Sequence, residues 1–319
     1  MKKLLMVLTA AMFVVSCNED ESQINETEEI SKDVVAKVRA CASDDVLNKQ
    51  LAEDPSFANR LQEIEEHAEK FEKFQGKLVN GQIVIPIVVN VLYRTTAENI
   101  SDAQIQSQID VLNQDFNAQN ADFANVPAVF SSVKANVGIR FELEKINRKY
   151  VNKTSWGTAD AMKKSAGYTP TSPTTKLNFW VCTIGGGILG YAQFPGGSSA
   201  TDGVVVDSKY FGTIGTATYP FNLGRTATHE VGHWMNLRHI WGDTTCGTDY
   251  VNDTPTHNTA NYGVPTYPHY STCTGTPIEM TMNYMDYSDD RGLYMFTEGQ
   301  KSRMLSIFST GGARSAFAK

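Results

Sequence analysis

Residues 229–239 read His-Glu-Val-Gly-His-Trp-Met-Asn-Leu-Arg-His, and this stretch constrains the chain more than any other. Side chains four apart on a helix share a face, so His229 and His233 can grip one ion. Glu230 lies beside them. It is poorly placed to join the same shell but can reach a water on the ion and take its proton as general base. His239 stands six residues past His233, too far to face the same way on a continuous helix. The helix must end and the chain turn back. Asn236 sits where that turn is needed, and asparagine is the best non-glycine residue at positive φ. Three imidazoles plus water complete a catalytic zinc site with an open position.

The elements ahead of this helix can be read from periodicity. The run Ile83 to Tyr93, IVIPIVVNVLY, is β-branched almost throughout and predicts a buried strand. Pro86 within it predicts a local bulge or a strand edge. Ser101 caps a helix, with Gln104 completing a capping box, and Ile105, Ile109, Leu112 and Phe116 line one face. Further strands are expected over Ile139–Leu143, 176–182, 189–195 and 203–208, with Gly185 to Gly187 as a flexible loop. Strand, helix, then several strands indicates an α+β fold, a mixed sheet with helices packed on it.

The first residues, MKKLLMVLTAAMFVVSC, combine a basic start with an apolar stretch too short to span a bilayer, which reads as an export signal over 1–16. VVSC resembles a bacterial lipobox with lipid attached at Cys17. The NEDE that follows resembles the acidic signal for the outer surface. A cell-surface or outer-membrane lipoprotein is expected, released to the extracellular space if processing cuts it loose; a soluble secreted protein is the alternative. Residues 17–76 are polar and acidic, with Leu61, Ile64, His67, Ala68 and Phe71 at helical spacing but too little apolar mass for a core. They read as a pro-segment leaning on a catalytic domain over 77–319. The formal net charge is −7, so nothing favours nucleic acid. No repeat or heptad argues for assembly, and a monomer is expected.

The motif set resembles the metzincin metalloproteases: HExxHxxxxxH, with Asn236 where glycine is usual, followed by a methionine turn in MNYMDY. HEVGHWMNLRHIWGD, VNDTP and NYMDYSDD are similar to the pappalysin family, particularly its small microbial members. The resemblance implies a metzincin-type zincin: a twisted mixed sheet with helices in an upper subdomain, and an irregular lower subdomain holding the methionine turn. It implies a zinc endopeptidase acting on polypeptides that lie along the antiparallel edge strand near residues 189–195. His229, His233 and His239 would be the zinc ligands, Glu230 the base, Met285 the support beneath the ligands, and Tyr287 a stabiliser of the oxyanion. Cys246 and Cys273 would form a disulfide, while Arg291 and Gly292 stand where a cysteine of a second bond would lie. Cys182 has no obvious partner. Calcium is expected in the loop 243–259, with Asp249, Asp253 and Thr254 as candidates.

Arg39-Ala40-Cys41 resembles the family's cysteine switch, in which a leader thiolate occupies the zinc until the leader is cut. The cut is expected near residues 70–82, at Lys70, Lys73 or Lys77. Asp290, with Asp289 as its rival, would lie at the base of the pocket for the residue after the scissile bond, favouring cleavage before Arg or Lys. A metzincin of another substrate class would differ at Asp290. An inactive adhesin on the same fold would lack Glu230.

Overall fold

In a computed structural model, residues 36–74 and 83–317 are described. Cys17, the signal segment and Lys77 lie outside them, so those expectations have no structural counterpart. Among the described residues no helix is long and apolar enough to cross a membrane.

Among the described residues five strands form one sheet: β1 Ile83–Tyr93, β2 Ile139–Tyr150, β3 Leu177–Cys182, β4 Gly190–Ala192 and β5 Val204–Asp207, in the order β2-β1-β3-β5-β4. All pairings are parallel except β4 with β5, which leaves β4 as an antiparallel edge. Parallel strands need crossovers, and the longest of these carries helix α3, Asp102–Asp115. The sheet's two faces follow the period-2 alternation of its strands. One face sets Ile85, Ile87, Val89, Val204 and Val206 against Ile105, Ile109, Leu112 and Phe116 of α3 and against Val231 of helix α4, Arg225–Trp234. The other carries Trp180, Cys182, Tyr191 and Val205 beneath Trp156, Met162 and the leader's Ala42 and Val46. Cys182 is buried there as a free thiol.

Pro86 has a specific accommodation. Pairing with β3 begins only at Ile87, so Pro86 has a ladder on one side alone, and the register to β2 shifts between Ile87 and Val88. Strand β2 runs to Tyr150, seven residues beyond the expected Leu143, because Val88 to Tyr93 continue to pair with it. At α3 half of the expected capping box forms. Ser101 Oγ accepts from the Gln104 amide at 3.1 Å, but the Gln104 side chain turns away to donate to Phe211 O and Thr216 Oγ1, both at 2.9 Å. It thereby fixes the loop after β5.

The described part of the leader, residues 36–74, holds two helices, α1 Ser43–Glu53 and α2 Ser56–Lys73. Leu61, Ile64 and Ala68 are buried along α2. This helix lies against α5, Glu298–Ser306, where Glu65 pairs with Arg303 at 2.5 Å and His67 Nε2 meets Ser309 Oγ at 2.8 Å. Between α4 and α5 the chain is almost devoid of regular structure. It is held by isolated bridges and by the disulfide Cys246–Cys273.

Candidate active site

Helix α4 places His229, Glu230 and His233 at the sheet's edge, all essentially inaccessible to solvent. It ends at Trp234, and Asn236 adopts φ +75°, which reverses the chain and returns His239 to the two histidines. The Nε2 atoms of His229 and His239 each lie 3.1 Å from that of His233. Zinc–nitrogen bonds of about 2.0–2.1 Å at tetrahedral angles put ligand nitrogens roughly 3.3 Å apart, so this spacing fits the ion. The donors are also set correctly. Each Nδ1 donates outward, to Tyr284 O at 2.7 Å, to Leu237 O at 2.8 Å and to the Asp243 carboxylate. That leaves all three Nε2 lone pairs pointing inward, the outer-shell arrangement of metal-binding histidines. Burial and the neighbouring imidazoles hold His229 and His233 well below the usual histidine range, so both are neutral and able to ligate.

Cys41 supplies the fourth corner. Its Sγ and the three imidazole nitrogens lie within 4.8 Å of one another, a set able to hold a metal ion. Burial and the Glu230 carboxylate push the thiol up; bound cations reverse such shifts by ionising a thiol. Glu230 Oε2 accepts from Ser43 Oγ at 2.9 Å and from Cys41 Sγ at 3.3 Å, and burial raises its carboxyl to about 7. Tyr287 holds the leader's backbone, since its hydroxyl accepts from Cys41 N and donates to Cys41 O, both at 3.2 Å.

Two glycines allow this crowding. A Cβ on Gly232 would sit 2.5 Å from Met285 Sδ, so the methionine turn fits against α4 only because that residue has no side chain. A Cβ on Gly190 would meet Val205 O at 2.8 Å and Glu230 Cγ at 3.0 Å.

Asp290 is fully buried, and its partner is a leader residue. Arg39 Nη2 donates to Asp290 Oδ1 at 2.6 Å, with side-chain exposures of 1% and 0%. Arg39 also donates to Ser288 O and Thr226 Oγ1, at 3.2 and 3.3 Å. Asp290 Oδ2 accepts from the Leu223 and Arg225 amides. Asp289 takes no part in this pairing. Leu189 N donates to Ala40 O and Ala42 N to Gly190 O, so the leader crosses the site as an added strand parallel to β4.

The expected calcium candidates have different hydrogen-bond partners. Thr254 Oγ1 lies 3.0 and 2.9 Å from the two oxygens of Asp249, near Val251 O. Asp253 is committed elsewhere, accepting from Thr297 Oγ1 at 2.6 Å and Gly299 N at 2.8 Å at the start of α5. Among the described residues the Cys41–histidine set is the one group of three or more His, Cys, Asp or Glu side chains arranged for an ion.

Reading the sequence missed Asp243, which orients His239, and Trp241, stacked on the His239 ring at 4.4 Å. The spacing of His239 and Asp243, four apart, was the available signal. It also missed Ser43, and it missed Arg39 as the partner of Asp290.

Fold and site together define a metzincin-type zinc metalloendopeptidase. The peptidase family described as pregnancy-associated plasma protein-A matches residues 182–309. An extracellular metalloprotease of Pyricularia oryzae is 34% identical over 238 residues, 71% of this chain and 75% of that protein. Extracellular metalloprotease 1 of Coccidioides posadasii is 32% identical over 266 residues, 77% and 86% of the two chains. Among solved structures, Tannerella forsythia mature mirolysin in complex with a cleaved peptide is 44% identical, with a TM-score of 0.72, over 74% of this chain and 95% of that one. A promirolysin mutant of the same organism is 40% identical, with a TM-score of 0.79, over 88% and 97%. The chain belongs to the pregnancy-associated plasma protein-A family of peptidases, the pappalysins.

Proposed function

We propose that the chain is exported as a latent precursor whose catalytic part, residues 77–319, cleaves polypeptides on the N-terminal side of arginine or lysine. The observation that carries the specificity is the buried Arg39–Asp290 pair. The pro-segment places an arginine in the pocket that an arginine of the substrate would enter. A planar guanidinium with paired donors suits a buried carboxylate of this kind, and lysine fits as a point charge.

Latency follows from the same contacts. Cys41 occupies the position of the attacking water, and Glu230 and Tyr287 are tied to the pro-segment. Arg39 precedes Cys41 in the chain, whereas an arginine of the substrate would follow the scissile bond, so the pro-segment crosses the site in the opposite sense to a substrate and presents its own peptide bonds the wrong way. Once it leaves, His229, His233 and His239 would hold the zinc, which supplies Lewis acidity toward a water and the scissile carbonyl. Glu230 takes a proton from the attacking water and hands it to the leaving nitrogen. The Tyr287 hydroxyl, freed from Cys41, can donate to the carbonyl oxygen as it gains charge.

The relatives named as extracellular support export; the signal over 1–16, the pro-segment over 17–76 and lipid on Cys17 are read from the sequence alone. Loss of membrane association in Cys17→Ser would test the anchor. Asp249, raised to about 7 by burial, together with Thr254 supports calcium in the 243–259 loop. A melting temperature that rises with calcium after chelation would support it, and an unchanged one would remove it.

The main test is a peptide library followed by mass spectrometry, using residues 18–319 before and after trimming, with a chelator control. Chelator-sensitive cleavage before Arg or Lys, latent until trimming or until Cys41→Ala, is expected. Cleavage with another preference would overturn the Asp290 pocket. No cleavage by trimmed, zinc-loaded protein would overturn the proteolytic role.

A further inference from the structure

Phe194 lies two residues beyond β4 and is thoroughly covered by the leader. It is 2% exposed and forms one apolar cluster with Leu47, Phe57 and Leu61, all of which are leader residues. Its ring centroid lies 5.4 Å from that of His233, and the Arg238 guanidinium sits 4.8 Å over it. The leader holds the flanking chain as well. Gln50 donates to Gln193 Oε1 at 3.1 Å and Arg60 to Gly196 O at 2.7 Å. When the leader departs, every apolar neighbour in that cluster departs with it. The cleft wall beside a zinc ligand is then an aromatic ring backed by a cation.

The direction of the leader shows which part of a substrate meets this ring. Arg39 sits in the Asp290 pocket on one side of Cys41, and Leu47 lies on Phe194 on the other. In the reading above the basic residue after the cut takes the place of Arg39, which comes before Cys41, so a substrate runs opposite to the leader along β4. The Asp290 side then receives the residue after the scissile bond, and the Phe194 side receives residues before it. Four residues of extended chain, from Gly190 to Phe194, cover roughly 13 Å, so the ring lies about two to four residues upstream.

Resting on the proteolytic reading above, we propose that Phe194, with Arg238 laid over it, is a specificity-determining subsite for a bulky apolar side chain two to four residues before the scissile bond. The enzyme then reads two features of a polypeptide, an upstream Leu, Ile, Met or Phe and a basic residue just after the cut. The pro-segment carries both, in reverse order, and so fills both subsites at once.

The test uses full chains trimmed of the leader, as wild type, Phe194→Ser and Phe194→Leu. Each is given peptide pairs that differ only by Leu or Ser at the second, third or fourth residue before an arginine-directed bond. Wild type should favour Leu at one of these positions by about tenfold in kcat/KM, mostly through KM, the scale expected for partial burial of one aliphatic side chain. Phe194→Ser should bring that ratio close to one, and Phe194→Leu should retain most of it. General damage to the fold or the zinc site slows both peptides of a pair and leaves their ratio unchanged. Wild type that cleaves before arginine with no upstream preference would overturn the subsite alone, as would a Phe194→Ser ratio equal to that of wild type. Wild type that cleaves nothing would overturn the proteolytic reading and the subsite with it.

Discussion

Replacing Arg39 with alanine should loosen the leader at the zinc site by a calculable amount. Arg39 and Asp290 are 1% and 0% exposed and pair at 2.6 Å. Removing one member of such a pair costs about 3–5 kcal/mol, because the other charge stays buried. Asp290 keeps two backbone donors, the amides of Leu223 and Arg225, so the lower figure of about 3 kcal/mol applies. At about 1.4 kcal/mol per factor of ten, the local opening equilibrium of residues 36–43 should rise by about 100-fold. The Leu189 amide reports this opening directly, since it donates to Ala40 O at 2.8 Å. The assay is native-state hydrogen exchange in a Glu230→Gln background, which keeps the chain from cutting itself and is common to both proteins compared. Leu189 should exchange about 100-fold faster in Arg39→Ala. Arg39→Lys should fall between, keeping the charge but losing the fork that reaches Ser288 and Thr226. A change of less than about threefold would refute the reasoning and shift the hold on the leader to Cys41 and the α2–α5 contact.

Asp286 is wholly buried and raised from 3.8 to about 7, chiefly by desolvation. Folding therefore takes up a proton, and the stabilisation is whole below about pH 4 and lost as pH rises through about 7. Asp286→Asn should accordingly melt with a flatter dependence between pH 5 and 8 than wild type, and parallel slopes would exclude Asp286 as the source. Gly232→Ala would set a Cβ 2.5 Å from Met285 Sδ, so it should destabilise by about 1–3 kcal/mol and weaken zinc retention in a chelator competition; wild-type retention would mean that Met285 can move aside. Replacing both Cys246 and Cys273 by serine opens a loop with a sequence separation of 27 and should cost about 3 kcal/mol in denaturant unfolding. An unchanged midpoint would mean that the lower subdomain orders itself without the bond.

Where one local rule dominates, the sequence alone was sufficient. The β-branched run at 83–93 had to be a buried strand, and Pro86 within it had to lie where a ladder was missing. The helix at 102–115 carried its own cap and apolar face. His229, His233 and Asn236 forced a helix, a stop and a reversal, because four-residue spacing and positive φ are properties of the backbone itself. Strand β2 was read short. Its second half, Lys145 to Tyr150, is half exposed and carries charge, so its strand character comes from pairing with β1 rather than from its own pattern. Gln104 was read as a cap and is instead a bridge to a loop about a hundred residues away, a choice no local signal records.

The lower subdomain shows the division most clearly. Asp253, Asp249 and Thr254 sit within six residues of one another and share the oxygen chemistry of a cation site. In the fold Asp249 meets Thr254, while Asp253 accepts from the Gly299 amide and the Thr297 hydroxyl at the N-terminus of α5. Sequence determined the zinc-binding helix, its turn and the strands beneath them, since these follow from spacing and side-chain type within a few residues. Only the tertiary structure decided that Arg39 pairs with Asp290, that Ser43 meets Glu230, and that Phe194 lies under the leader. Those contacts join residues roughly 150 to 250 positions apart. They exist because one polar and weakly apolar segment, unable to bury a core of its own, finds its buried surface in the catalytic cleft.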